Sequence, residues 1–267
     1  MTHTGNDTAG KTCVVAGIGL HYRTDGDRAK PCLVLSNSLG TDLSMWDAQA
    51  AALAGDFFVV RYDTRGHGQS ASGGAPFGID RLGLDVVALL DHLDIARAAV
   101  CGISMGGLTG QWLAIHQPRR LTHLVLANTA ARIGGAAPWQ LRAEQVRRDG
   151  MAAVADGAAA RWFTPSFIAQ EAATVARLVA TLRDQDAGGY AACCEVLAQT
   201  DLHAAVGTIS VPTLIIAGEH DPVTTLDDAR WLQRQIAGAR LASLPASHIS
   251  NIEAADLFTE QLRTFLL

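Results

Sequence analysis

The chain has 267 residues, 49% of them hydrophobic and 18% charged, enough to bury a full core and too apolar for a disordered chain. A net charge of −5 gives no basic footprint for nucleic acid, and no apolar run approaches the ~20 residues of a membrane span. Polar residues 1–11 lack a basic segment followed by an apolar one, which argues against a signal peptide and for a cytoplasmic protein.

Cys13–Ile18 and Leu20–Arg23 read as two strands around Gly19, with a turn signal at Asp25-Gly26-Asp27. Cys32–Ser36 reads as a buried strand, Trp46–Ala54 as a short helix, and Phe57–Arg61 as the next strand. Leucines and valines recur at helical spacing over Ile79–Leu93. A strand at Ala98–Cys101, a helix over Gly107–His116 and a strand over Leu121–Ala127 follow. From Gly134 to about Gly207 the chain turns alanine-rich and helical, with no convincing strand. Alternation resumes with a strand at Val211–Ala217, a helix at Thr225–Ile236, a strand at Arg240–Leu244 and a closing helix over Ser250–Leu267. This order predicts an α/β fold, a mainly parallel sheet flanked by helices. The core comprises residues 1–133 and 208–267, and residues 134–207 are expected as an inserted helical cap.

The strand at Ala98–Cys101 and the helix that follows enclose Gly102-Ile103-Ser104-Met105-Gly106. A Gly-x-Ser-x-Gly pattern between strand and helix is the context of a nucleophile elbow, a tight turn that lifts the serine hydroxyl clear of the sheet. Serine is a poor nucleophile at neutral pH and needs a histidine base oriented by a carboxylate. Asp221, in the loop after the strand at Val211–Ala217, is the candidate acid, with Glu219 as rival and helix capping as its other reading. His248, between the last strand and the last helix, is the candidate base. The oxyanion of an acyl transfer needs two backbone N–H donors, expected from Met105 and, in the loop Asn37-Ser38-Leu39-Gly40, from Leu39. His67, in the loop Arg61–Ser70, reads as structural. Five cysteines without a Cys-x-x-Cys pair, and nine histidines without ligand spacing, predict neither disulfides nor a metal.

Several segments carry a narrower likeness: Ser36–Asp42 with Met45-Trp46, Arg61–Gly68, the elbow, Leu126–Gly134 and Ser247–Glu253. Through them the chain resembles the α/β-hydrolase superfamily over nearly its whole length. Within it, the chain looks like the 3-oxoadipate enol-lactonases of bacterial aromatic catabolism. The elbow identifies only the superfamily; the Ser-Asn-Ser-Leu-Gly and Asn-Thr-Ala-Ala-Arg-Ile-Gly segments are narrower. Asn37-Ser38 departs from the commoner His-Gly pair of the superfamily. The resemblance implies an eight-stranded sheet and hydrolysis of a small anionic lactone without cofactor, in the β-ketoadipate pathway. An anionic substrate calls for a cation. Arg132 has two readings, a partner for the substrate carboxylate or a salt bridge between core and cap. Trp139 and Trp162 read either as pocket lining or as cap core. A general carboxylesterase, a cofactor-free perhydrolase and a carbon–carbon hydrolase share the scaffold and stay open, as does a lactone-binding receptor. A haloalkane dehalogenase would need an aspartate where Ser104 stands.

Overall fold

A computed structural model describes residues 10–74 and 76–267. Residues 1–9, on which most of the reading of the N-terminus rests, lie outside the described residues. The strands are β1 (Lys11–Val15), β2 (Ile18–Asp25), β3 (Cys32–Ser36), β4 (Phe58–Tyr62), β5 (Ala98–Ile103), β6 (Leu121–Ala127), β7 (Thr213–Gly218) and β8 (Arg240–Leu244). They form one sheet in the order β1-β2-β4-β3-β5-β6-β7-β8. Only the pairings of β2 with β1 and with β4 are antiparallel. Every residue of β3, β4, β5 and β7 is buried, the pattern of strands covered on both faces.

The core helices are α1 (Asp47–Leu53), α2 (Ile79–His92) and α3 (Met105–His116). Between β6 and β7 come α4 (Ala136–Asp149), α5 (Ala152–Asp156), α6 (Ala158–Trp162), α7 (Pro165–Gln170), α8 (Ala172–Arg183) and α9 (Ala187–Gln199). We refer to this helical insert as the cap; α4 packs along α9 within it. The chain returns to the core through α10 (Leu226–Gln235), α11 (Ser250–Glu253) and α12 (Ala255–Leu266). α10 opens with a capping box, in which the side chains and backbone amides of Thr225 and Asp228 bond reciprocally.

Two predicted elements are corrected. The first hairpin turns at Ala16-Gly17, not at Gly19, which pairs with Val14 inside the ladder. A two-residue hairpin loop favours positive φ at both central residues, and Ala16 (φ 47°) and Gly17 (φ 78°) supply it. The closing helix is two helices, because Ala254 leaves the helical region (φ −123°, ψ 51°). Its carbonyl then accepts the Phe258 N–H in the first turn of α12.

Among the described residues, no helix is long and apolar enough to cross a membrane. No cluster of three or more metal-ligating side chains occurs among them either.

Candidate active site

Ser104 sits between β5 and α3 with φ 57° and ψ −115°. Positive φ is uncommon for a residue with a side chain and costs on the order of 1–3 kcal/mol, held here by the surrounding fold. Its N–H donates to the Ala127 carbonyl (3.1 Å), and its carbonyl accepts from Thr129 Oγ1 (2.8 Å) and Leu108 N (3.1 Å). The flanking glycines are forced by close approach. A β-carbon on Gly102 would lie 2.1 Å from the Gly106 carbonyl oxygen, and one on Gly106 would lie 2.3 Å from that of Ser36. Only hydrogen fits at either position. α3 therefore begins at Met105, earlier than its apolar spacing suggests.

His248 and Asp221 meet on the neighbouring strand ends. His248 Nδ1 and Asp221 Oδ2 are 2.8 Å apart, and both residues are buried. Asp221 Oδ2 also accepts from Thr224 Oγ1 (2.8 Å) and Asn128 Nδ2 (3.0 Å). Its Oδ1 accepts from Val223 N (2.7 Å) and Thr224 N (3.1 Å). Burial alone would raise the Asp221 pKa. The adjoining His248 and these donated hydrogen bonds outweigh burial and hold the carboxyl below its ordinary range. An acceptor at Nδ1 fixes the Nδ1–H tautomer of a neutral His248, so Nε2 carries the free lone pair. Glu219, the rival acid, bonds instead to Ser243 Oγ (2.9 Å) on β8.

Asn128 is a site residue that the sequence reading quoted without giving it a role. It follows β6 directly at φ 43°, donates to Asp221 and to the Ser247 carbonyl (3.1 Å), and accepts from Ser250 Oγ. It thereby ties Asp221 to the loop that carries His248.

Ser104 and His248 line one cavity of about 240 Å³ together with Ser38, Leu39, Pro222 and Val223. No hydrogen bond joins Ser104 and His248 among the described residues. Met105 opens α3, where first-turn amides lack an intrahelical acceptor. The Leu39 N–H makes no backbone hydrogen bond among the described residues. The next amide, Gly40 N, donates to His67 Nε2 at 3.0 Å, so His67 supports this loop from behind.

The cap supplies the opposite wall of the cavity: Trp139, Arg142, Arg161, Trp162, Leu182, Tyr190 and Leu197. Both tryptophans of the sequence reading thus face the same space as Ser104. Arg132 does not line it; its guanidinium lies 3.5 Å from Asp201. Arg142 and Arg161 stand in the cavity wall instead, and the sequence reading missed both. Arg142 lies 4.8 Å over the Trp139 ring, and Arg161 donates to the Val154 carbonyl (2.7 Å). Neither has a carboxylate partner among the described residues. Burial, and then the charge of Arg142, lower the Arg161 pKa. Their position beside Trp139 and Trp162 in the sequence was the available signal.

A family model described as "alpha/beta hydrolase fold" matches residues 31–255. The chain is 49% identical to 3-oxoadipate enol-lactonase 2 of Acinetobacter baylyi, over 96% of each chain. It is 42% identical to 3-oxoadipate enol-lactonase 1 of the same organism, over 94% of each. It is also similar to the crystal structure of the enol-lactonase from Burkholderia xenovorans LB400, with 48% identity and a TM-score of 0.94, covering 96% of this chain and 99% of that one.

Proposed function

This chain belongs to the alpha/beta hydrolase fold family, and we propose that it hydrolyses 3-oxoadipate enol-lactone to 3-oxoadipate. The observation that carries the substrate class is the pair of arginines, Arg142 and Arg161. Both face the serine's cavity and neither has a carboxylate of its own among the described residues. A neutral ester leaves two such cations uncompensated, whereas the acetate arm of the lactone supplies the missing anion.

Ser104 is the nucleophile, His248 the base and Asp221 the group that orients it. His248 Nε2 takes the Ser104 hydroxyl proton as Oγ bonds to the lactone carbonyl carbon. The negative charge that develops on the carbonyl oxygen is held by the N–H groups of Met105 and Leu39. Collapse of this intermediate breaks the ring C–O bond. The electron pair leaves on the enol oxygen, which takes the proton from His248 and tautomerises to the ketone. Water, deprotonated by the same nitrogen, then releases the acyl group from Ser104 as the second carboxylate. The proton of the Ser104 hydroxyl passes through His248 to the enol oxygen, and the proton of water passes through it back to Ser104 Oγ as the acyl group leaves; on tautomerisation the enol gives up its proton and the adjacent carbon takes one up.

The cap, residues 134–207, provides the anion-binding wall, and the chain on either side of it provides the triad. Arg132 serves as a salt bridge to Asp201 outside the pocket. Five buried cysteines without a disulfide suit a reducing compartment, which supports a cytoplasmic place of work.

The test is a side-by-side measurement of kcat/KM for freshly generated enol-lactone and for a neutral short-chain nitrophenyl ester. A preference for the lactone of about 100-fold or more is expected, since a site with half-buried, unpaired charges disfavours a ligand that leaves them unpaired. Equal values would overturn the substrate and leave a general esterase.

A further inference from the structure

Glu253 accepts hydrogen bonds from two separate parts of the molecule and has no cationic partner among the described residues. Its Oε2 takes the Ser247 N–H at 2.7 Å, one residue before His248. Its Oε1 takes the Thr164 N–H at 3.1 Å and the Thr164 hydroxyl, both in the cap two residues after Trp162. Between these points the two segments are joined directly, with Ile249 N donating to the Trp162 carbonyl at 3.1 Å. The residues before and after His248 are thus each fastened, one through Glu253 and one directly, to the short cap segment that contains Trp162. His248 and Trp162 both face the cavity.

A carboxylate that receives only N–H and O–H donors, with no ion pair, acts as a hydrogen-bonding hub. Its bonds are stronger than neutral ones, and no uncharged side chain accepts at two oxygens in this way. We propose that Glu253 is a positioning residue that holds the Trp162 wall of the cap in register with the His248 imidazole. The proposal rests on His248 being the base. A substrate that touches both the cap wall and the triad then meets them at one fixed separation, and misplacement on the order of 1 Å costs up to about 100-fold in rate. A small ester that needs only the triad is indifferent to this register.

The test compares the wild-type enzyme with Glu253→Gln, Glu253→Ala, Thr164→Val and the double variant Glu253→Ala/Thr164→Val. Each is assayed with the enol-lactone and with nitrophenyl acetate. For Glu253→Gln, kcat on the lactone is expected to fall about tenfold and KM to rise by less than that, because Arg142 keeps its place on α4 while Arg161 shares α6 with Trp162. On nitrophenyl acetate kcat is expected to stay within about twofold. A merely structural role would lower kcat on both substrates by one common factor as the folded fraction drops, and that result would overturn the proposal. An unchanged kcat on the lactone would overturn it too. Thr164→Val is expected to cost about threefold alone and nothing further on top of Glu253→Ala, since both act through one unit; losses that multiply would refute the unit. If Glu253→Ala does not fold, the comparison stands on Glu253→Gln and Thr164→Val. Failure of the underlying reading is separate, because a His248→Ala enzyme that kept its rate on nitrophenyl acetate would remove the base whatever Glu253 does.

Discussion

Gly189 in the cap and Gly66 in the loop after β4 meet backbone to backbone. A β-carbon on Gly189 would lie 2.3 Å from the Gly66 carbonyl oxygen, and one on Gly66 would lie 2.6 Å from the Gly189 α-carbon. The same loop is held to the cap by the Gly68 N–H, which donates to Gln185 Oε1 at 2.8 Å. α9 carries Gly189 together with Tyr190 and Leu197, two residues of the cavity wall.

Gly189→Ala should therefore push α9 off the core and displace that wall. Alanine is the better helix former by about 1 kcal/mol, so propensity alone predicts a more stable protein. The backbone clash predicts the opposite, a loss of roughly 1–3 kcal/mol, as for other overpacked contacts. A fall in Tm of about 2–10 °C with a lower kcat/KM on the lactone is expected. Thermal melts and steady-state assays check it, and a raised Tm would mean that cap and core are not in contact here.

Asp221→Asn should leave the fold intact and lower kcat by about 1,000- to 10,000-fold, the order seen where an orienting carboxylate is neutralised in a serine–histidine–acid site. The reason lies in the donors around it. Thr224 N, Thr224 Oγ1, Val223 N, Asn128 Nδ2 and His248 Nδ1 all point at the two carboxylate oxygens. An amide places its NH₂ group against some of these donors and no longer stabilises imidazolium at His248. Steady-state rates with circular dichroism would check the prediction. A variant within about tenfold of the wild-type rate would move the acid elsewhere.

Much of this site was legible because it depends on chain order and on buried apolar runs. β3, β5 and β7 are marked by nearly continuous apolar residues and β6 by its second half, Leu124–Ala127, and Ser104, Asp221 and His248 each follow a strand of the core. The turn at Ala16-Gly17 was not legible, since nothing about alanine signals a φ of 47°. Neither was the division of the last helix at Ala254, a residue with high helix propensity. Arg142 and Arg161 were hidden because arginines in an alanine-rich helical segment read as a solvated face. Which helix face turns inward is decided by how α4 packs along α9 and α6 against α5, α7 and α8 within the cap. Arg132 drew attention by its place after β6, but its side chain direction is set by a loop and by Asp201.

The arginines differ in what their loss should do. Arg142→Met and Arg161→Met each keep an apolar stem in the cavity wall and remove one charge. For each, KM on the lactone should rise by about 10- to 100-fold, the 1.5–3 kcal/mol of a charged hydrogen bond, with little change on a neutral ester. Arg132→Ala, outside the cavity, should change KM on either substrate less than twofold, since half-exposed ion pairs contribute ~1 kcal/mol or less to stability and nothing here to binding. Kinetics with both substrates decide between the cations. An effect confined to Arg132 would return the substrate carboxylate to the mouth of the cap.

His67 gives the enzyme a predictable sensitivity to acid. It is buried, its Nε2 accepts the Gly40 N–H at 3.0 Å, and its Nδ1 faces the Arg65 carbonyl (3.4 Å) and Cys193 Sγ (3.9 Å). Burial is the largest influence and pushes its pKa below the ordinary imidazole value, despite the opposing pull of the Arg65 carbonyl and of Asp63, Asp186 and Asp42. The folded chain therefore keeps His67 neutral where the unfolded chain protonates it. Above an unfolded pKa of about 6.5 neither form is charged, and the stability contribution is complete. As pH falls below that value the unfolded state takes up a proton that the folded state refuses, and stability drops by up to about 1.4 kcal/mol per pH unit until the folded value is reached. His67→Gln offers an oxygen acceptor to Gly40 and does not titrate. Urea unfolding at pH 7.5 and 5.5 should show the wild type losing up to about 1 kcal/mol more than this variant, the other eight histidines cancelling in the comparison. Equal losses would mean that His67 charges freely in the folded protein. The acceptor that holds Gly40, and with it the neighbouring Leu39 amide, would then vanish at mildly acidic pH, and the acid limb of the rate profile would follow His67.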